Sequence, residues 1–148
     1  MDKENKKLDI DIRYANINVS KFSQFDLKDE FDKEAKPLVN FNSNFQFKVF
    51  PDKEMITCIV SVNVSIIETG ESFCELNVEN EFEIKPLAKI VKIEAEDKHN
   101  VPTEILRTIV SLSVSTVRGI LYEKSKGSII QGEVYPLINP MSLFEKKN

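Results

Sequence analysis

From Ile56 to Ile66 every second residue is apolar: Ile56, Cys58, Val60, Val62, Val64 and Ile66. Thr57, Ser61, Asn63 and Ser65 fill positions between them. After Glu68-Thr69-Gly70-Glu71 the alternation returns, with Cys74, Leu76, Val78, Asn80, Phe82 and Ile84 on one parity and Glu75, Asn77, Glu79, Glu81 and Glu83 on the other. Strand side chains point alternately to opposite faces, so a strict period of two specifies an extended chain with one greasy and one wet face. Two such runs joined by a short Gly-containing turn predict a long antiparallel hairpin, packed on one side and solvated on the other.

Two further strands precede the hairpin. Across residues 8–22, Leu8, Ile10, Ile12 and Tyr14 share a face, after which the apolar phase shifts to Ile17 and Val19. A change of parity inside one strand predicts a β-bulge near Ala15-Asn16. A polar stretch, residues 23–37, holds Phe25 and Phe31. Residues 41–50 then alternate again, with Phe41, Phe45, Phe47 and Val49 against Asn42, Asn44, Gln46 and Lys48.

The second half is helical. Residues 86–100 admit either a strand or a short helix around Lys89-Ile90-Val91-Lys92-Ile93-Glu94. Val101-Pro102-Thr103 opens a long helix to about Lys124, with Pro where a first turn tolerates it. β-branched residues crowd 108–117 and would suit a strand, but the length and the continuation through Lys124 favour helix. Lys126-Gly127 ends it, Val134-Tyr135-Pro136-Leu137-Ile138 reads as extended, and Asn139-Pro140 introduces a short terminal helix over 141–146. The fold class expected is α+β: a four-stranded antiparallel sheet packed by a long C-terminal helix. One domain is expected over residues 1–148, with 1–7 and 145–148 as disordered tails.

Several function classes lack raw material. The balance of 20 basic and 24 acidic residues gives a net charge of -4, against a nucleic-acid face. The four glycines form no phosphate-binding loop, and no Cys-x-x-Cys or His-x-His pair supports zinc. His99, in Asp97-Lys98-His99-Asn100, reads as a solvated loop residue. No catalytic constellation is visible, so no enzyme activity, metal or cofactor is expected. Residues 1–7 have no apolar core behind their charges, so no secretory signal is expected. The longest uncharged stretch, 55–67, is thirteen residues and the one at 108–117 is ten, both short of the roughly 20 that a bilayer core needs. A cytoplasmic protein with reduced thiols follows. With the turn centred on Gly70, Cys74 falls opposite Ile66 and Cys58 lies eight residues along that strand. That is about 26 Å, too far for a disulfide.

Three features carry candidate function. In the long helix, Leu112, Ile105, Ile109, Ile120, Leu106, Val117, Val110, Leu121 and Val114 spread over roughly 200°, more than one sheet face covers. Thr108, Ser111, Ser115 and Gly119 form a small-residue stripe beside Leu112, so a second subunit is expected to cover Thr108, Ser111, Leu112, Ser115 and Gly119. Seven of ten phenylalanines fall in the first 50 residues, and Phe22, Phe25, Phe41, Phe45 and Phe47 are candidates to line a groove for extended apolar polypeptide. The acidic row Glu75, Glu79, Glu81, Glu83 fits either a basic partner or a solvated sheet face.

Taken in order, the bulged first strand, the meander, Ser72-Phe73-Cys74-Glu75-Leu76, a long helix carrying Arg118-Gly119, and the ending Pro136-Leu137-Ile138-Asn139-Pro140-Met141-Ser142-Leu143-Phe144 resemble the protein-export chaperone SecB family over residues 8–144. The resemblance implies a protomer assembled as a dimer of dimers, a homotetramer with its long helices at subunit interfaces. It implies ATP-independent binding of non-native polypeptide, without membrane insertion, and transfer of secretory precursors to the translocase motor SecA. By position, Phe73 and Glu75 match residues that the family turns toward SecA. The family's first strand adds two acids there, whereas the nearest positions here are Asn16 and Ser20. The family's Phe-Pro-Tyr-Ala-Arg run is represented only by Leu106-Arg107-Thr108-Ile109-Val110. The function expected is that of a holdase for protein export. The alternatives are a SecB-like chaperone of a toxin–antitoxin system, or an adaptor for one folded partner.

Overall fold

A computed structural model describes residues 9–27, 36–95 and 98–136, with backbone alone at 92–95 and 98–99. The expected tails, Phe31 and the helix over 141–146 lie outside the described residues. The elements run β1 (Asp11–Gln24), β2 (Val39–Phe50), a 3-10 turn (Pro51–Lys53), β3 (Met55–Ile66), β4 (Ser72–Lys85), α1 (Leu87–Ile90), β5 (Lys92–Ala95), β6 (Lys98–Asn100) and α2 (Thr103–Lys124). The first four strands form one antiparallel sheet in the order β1-β4-β3-β2, and β5 pairs with β6.

The alternating runs make the hairpin's buried face. Ile56, Cys58, Val60, Val62, Val64 and Ile66 from β3, and Cys74, Leu76, Val78, Asn80, Phe82 and Ile84 from β4, are all buried. Its register differs from expectation: Cys74 pairs with Val64, not Ile66, because the turn takes up residues 67–71 and the pairing shifts between Val64 and Ser65. Gly70 closes that turn at φ +74, a conformation that costs glycine little. Both cysteines are free and buried.

β1 carries the expected bulge between Tyr14 and Asn16, and a second between Val19 and Lys21. Each extra residue flips the alternation, so Ile12, Tyr14, Ile17, Val19 and Phe22 all sit opposite buried β4 residues: Ile84, Phe82, Asn80, Val78 and Leu76. β2 pairs with β3 without a shift from Val39 to Phe50, aligning Phe41, Phe45, Phe47 and Val49 with the buried residues of β3.

The ambiguous stretch contains both alternatives, as α1 and the β5–β6 pair. His99 is therefore in a strand, not a loop, its backbone paired with Ile93. α2 runs across β3 and β4, and by length and composition it could cross a membrane. Here it is a core helix, burying Ile105, Ile109, Val110, Ser113, Val114, Val117 and Leu121 in the protomer. Beyond it the chain turns back at Gly127, and Ile130 and Tyr135 complete the core.

Candidate functional site

The sheet is four strands wide, and α2 covers its middle. The edge strands therefore extend past the helix on both sides.

On the β1 side, the Tyr14 hydroxyl and Thr116 Oγ1 lie 2.8 Å apart, and the Tyr14 ring stacks on Phe82 with centroids 4.3 Å apart. Two helical turns further on, Lys124 Nζ lies 5.0 Å from the centre of the Phe22 ring, a cation–π contact. Between these anchors β1 presents Ile17 and Val19, 45% and 37% exposed. Leu112, one turn before Thr116, is 39% exposed, and Ile120, one turn after it, is half-buried.

On the β2 side, the chain's own tail segment lies against the sheet. Arg118 donates from Nε to the Tyr135 carbonyl at 2.8 Å and from Nη2 to the Pro136 carbonyl at 3.3 Å. The Tyr135 ring meets Phe41 edge-on at 5.7 Å, and its hydroxyl hydrogen-bonds Ser43. Burial pushes the Tyr135 phenol upward. Toward the start of α2 a cleft of about 500 Å³ opens among Phe47, Lys48, Val49, Phe50, Asn100, Val101 and Leu106.

The five groove candidates are thus not gathered in one place. Phe41, Phe45 and Phe47 share the inner face of β2, while Phe22 lies on β1, across the two central strands. Phe25 is 40% exposed beyond the end of β1, its N–H donating to the Phe73 carbonyl at 2.8 Å. All but Phe25 pack against the core while staying partly exposed.

Phe73 and Glu75 are likewise separated. Phe73 is buried and lines a cavity of about 460 Å³ with Gln24, Lys36 and residues following α2. Glu75 lies on the outer face, 2.6 Å from Lys21 Nζ and 3.3 Å from Asn63 Nδ2, and the lysine beside it holds its carboxyl below the usual range. The acidic row is largely partnered within the chain. Glu79 accepts from Asn18 at 3.1 Å, and Glu83 meets Lys85 at 3.1 Å and Arg13 at 3.9 Å. The sequence did not single out Tyr135, Arg118 as its clamp, or the Tyr14–Thr116 contact. Among the described residues no three His, Cys, Asp or Glu side chains gather as a metal site.

The four-stranded sheet with one long C-terminal helix laid on it is a SecB-like fold. No protein-family model and no curated protein matches the sequence. Among solved structures, the chain is similar to the SecB-like chaperone Rv1957 of Mycobacterium tuberculosis, solved in complex with a ChAD peptide from the Rv1956 HigA1 antitoxin. The TM-score is 0.60 at 7% identity, over 86% of this chain and 90% of that one. A protein of unknown function from Streptococcus agalactiae matches with a TM-score of 0.48 at 12% identity, over 86% of this chain and 98% of that one. The likeness to Rv1957, at low sequence identity, shows that the chain has a SecB-like fold.

Proposed function

We propose that this protein is an ATP-independent holdase of the SecB-like type, and that its client belongs to a toxin–antitoxin pair rather than to protein export. One observation carries the reading: in a SecB-like fold, the inner face of the sheet extends beyond α2 and leaves apolar side chains of both edge strands partly exposed. Such a surface binds extended apolar chain without demanding a particular sequence. The complex of the similar chaperone with an antitoxin peptide favours the toxin–antitoxin reading. So does the outer face. Asn16, opposite Glu81, and Ser20, in the second bulge, add no acid, and Phe73 is buried away from Glu75.

The protein acts by binding rather than catalysis, in the cytoplasm, as a homo-oligomer joined through α2, with a dimer of dimers as the assembly the resemblance implies. Thr108, Ser111, Leu112, Ser115 and Gly119 are all exposed, while Ile105, Ile109, Val110, Ser113, Val114, Val117 and Leu121 of the same helix are buried. A Cβ built on Gly119 meets nothing within 4 Å, so packing inside the protomer does not require glycine there. Covering Leu112 would contribute up to about 1.5–3 kcal/mol.

The test is suppression of aggregation of a chemically unfolded protein without nucleotide. Suppression near one client per oligomer is expected, weakened several-fold by Phe25→Ala with Phe45→Ala while the oligomer mass holds. Saturable binding to one folded protein with no protection of unfolded ones would overturn the holdase reading in favour of an adaptor.

A further inference from the structure

We infer that the client's backbone pairs with the outer edge of β2 at Phe41, Ser43 and Phe45, so that bound polypeptide becomes a fifth strand of the sheet. This rests on the holdase reading and specifies which edge performs it.

The sheet has two edges, and they differ. β1 is interrupted by two bulges and carries Asp11, Arg13 and Lys21. Bulges and charges are the usual means of protecting an edge from a further strand. β2 has neither. It is regular over twelve residues, and Lys48 is its one charge. Among the described residues the sheet ends there.

The hydrogen-bond phase of β2 is determined by the ladder. Ile67 N donates to Leu38 O at 2.9 Å, making Leu38 and Ile67 a hydrogen-bonded pair. Alternate pairs repeat that pattern, so Asn40, Asn42, Asn44 and Gln46 bond to β3. The N–H and C=O groups of Phe41, Ser43 and Phe45 consequently point away from β3, into the open edge. These same residues direct their side chains to the inner face, so backbone pairing and apolar contact would occur together.

The occupant follows from this chemistry. Unpaired main-chain donors and acceptors recognise another extended backbone whatever its sequence. An edge flanked by side-chain amides and aromatic rings, with one positive charge, matches a weakly charged, apolar stretch of the kind that forms a buried strand in a folded protein. The cleft of about 500 Å³ lies along the same strand and would accept a large side chain from such a segment.

A proline at position 43 separates this from a purely side-chain groove. Ser43→Pro removes an outward N–H and no bond to β3, a substitution that edge strands tolerate. Ser43→Ala removes the same hydroxyl and keeps the N–H. The probe is reduced, carboxymethylated α-lactalbumin, a permanently unfolded chain, titrated against the full-length protein. Ser43→Pro should bind it at least tenfold more weakly than Ser43→Ala, with equal oligomer mass. Equal affinity of the two variants would overturn the assignment, as would a lower oligomer mass with client binding intact, which would make this edge a contact between copies. If Ser43→Pro fails to fold, amide exchange of the unaltered protein decides. The N–H groups of Phe41, Ser43 and Phe45 should slow on adding the probe, and unchanged exchange would overturn the proposal. Failure of the unaltered protein to bind any probe would defeat the holdase reading itself.

Discussion

Ser113 sits on the buried face of α2 with its hydroxyl fully shielded and in no well-formed hydrogen bond, with only the Tyr14 hydroxyl and the weakly polar Cys58 thiol beside it. A buried polar atom left unpaired costs about 1–3 kcal/mol, and Ala is also the better helix former. Ser113→Ala should therefore stabilise the protein by about 1 kcal/mol, read as a higher denaturation midpoint. Asn80 is the opposite case. It is fully buried in β4, donating to the Cys58 carbonyl at 3.1 Å and accepting from Tyr14 at 3.4 Å, so its amide is satisfied. The two thiols supply a pH test. Burial pushes Cys58 and Cys74 up to about 11 from an ordinary 9.0. The folded state holds these protons more tightly than the unfolded chain, so their contribution is full below pH 9 and is lost as pH rises toward 11. Stability measured across that window should fall, and less steeply in Cys58→Ala with Cys74→Ala. An unchanged slope would assign the loss to other groups.

At the scale of elements, α2 connects the fold to the proposed assembly. Its buried side is satisfied within the protomer, while its small-residue stripe faces outward. Ser115→Glu places a charge in the middle of that stripe without touching the core, and should lower the mass of the oligomer while the circular dichroism spectrum is unchanged. The strands and this helix were legible in the sequence because each depends on a local period: two for Ile56–Ile66 and its return strand, 3.6 for α2. The first bulge was legible for the same reason, since Tyr14 and Ile17 break parity. The second was not, because the phase shift from Val19 to Phe22 falls where the apolar pattern runs out. Hairpin register escaped as well, since it depends on how many residues the turn absorbs. Residues 86–100 contain a helical turn and a two-stranded pair in fifteen positions, too few for either period to emerge.

At the scale of the whole molecule, the placement of the phenylalanines proposed to line a groove was the least legible feature. Spacing along the chain showed an excess of phenylalanine but not its division between β1 and β2, because strand order β1-β4-β3-β2 places those two on opposite edges. Phe73 illustrates the same limit. The family resemblance put it on one surface with Glu75, whereas the irregular pairing at Ser65 turns it into the core. Tyr135 came from an unpatterned tail, and only the folded chain brings it to Phe41, Ser43 and Arg118.

Copies of this chain are proposed to associate and together hold unfolded polypeptide without nucleotide. Light scattering coupled to gel filtration, with and without a permanently unfolded chain, tests it most directly. The predicted result is a particle several times the 17.0 kDa protomer whose mass rises when the unfolded chain is added. A protomer-sized species at micromolar concentration, with no change on adding the unfolded chain, would contradict it.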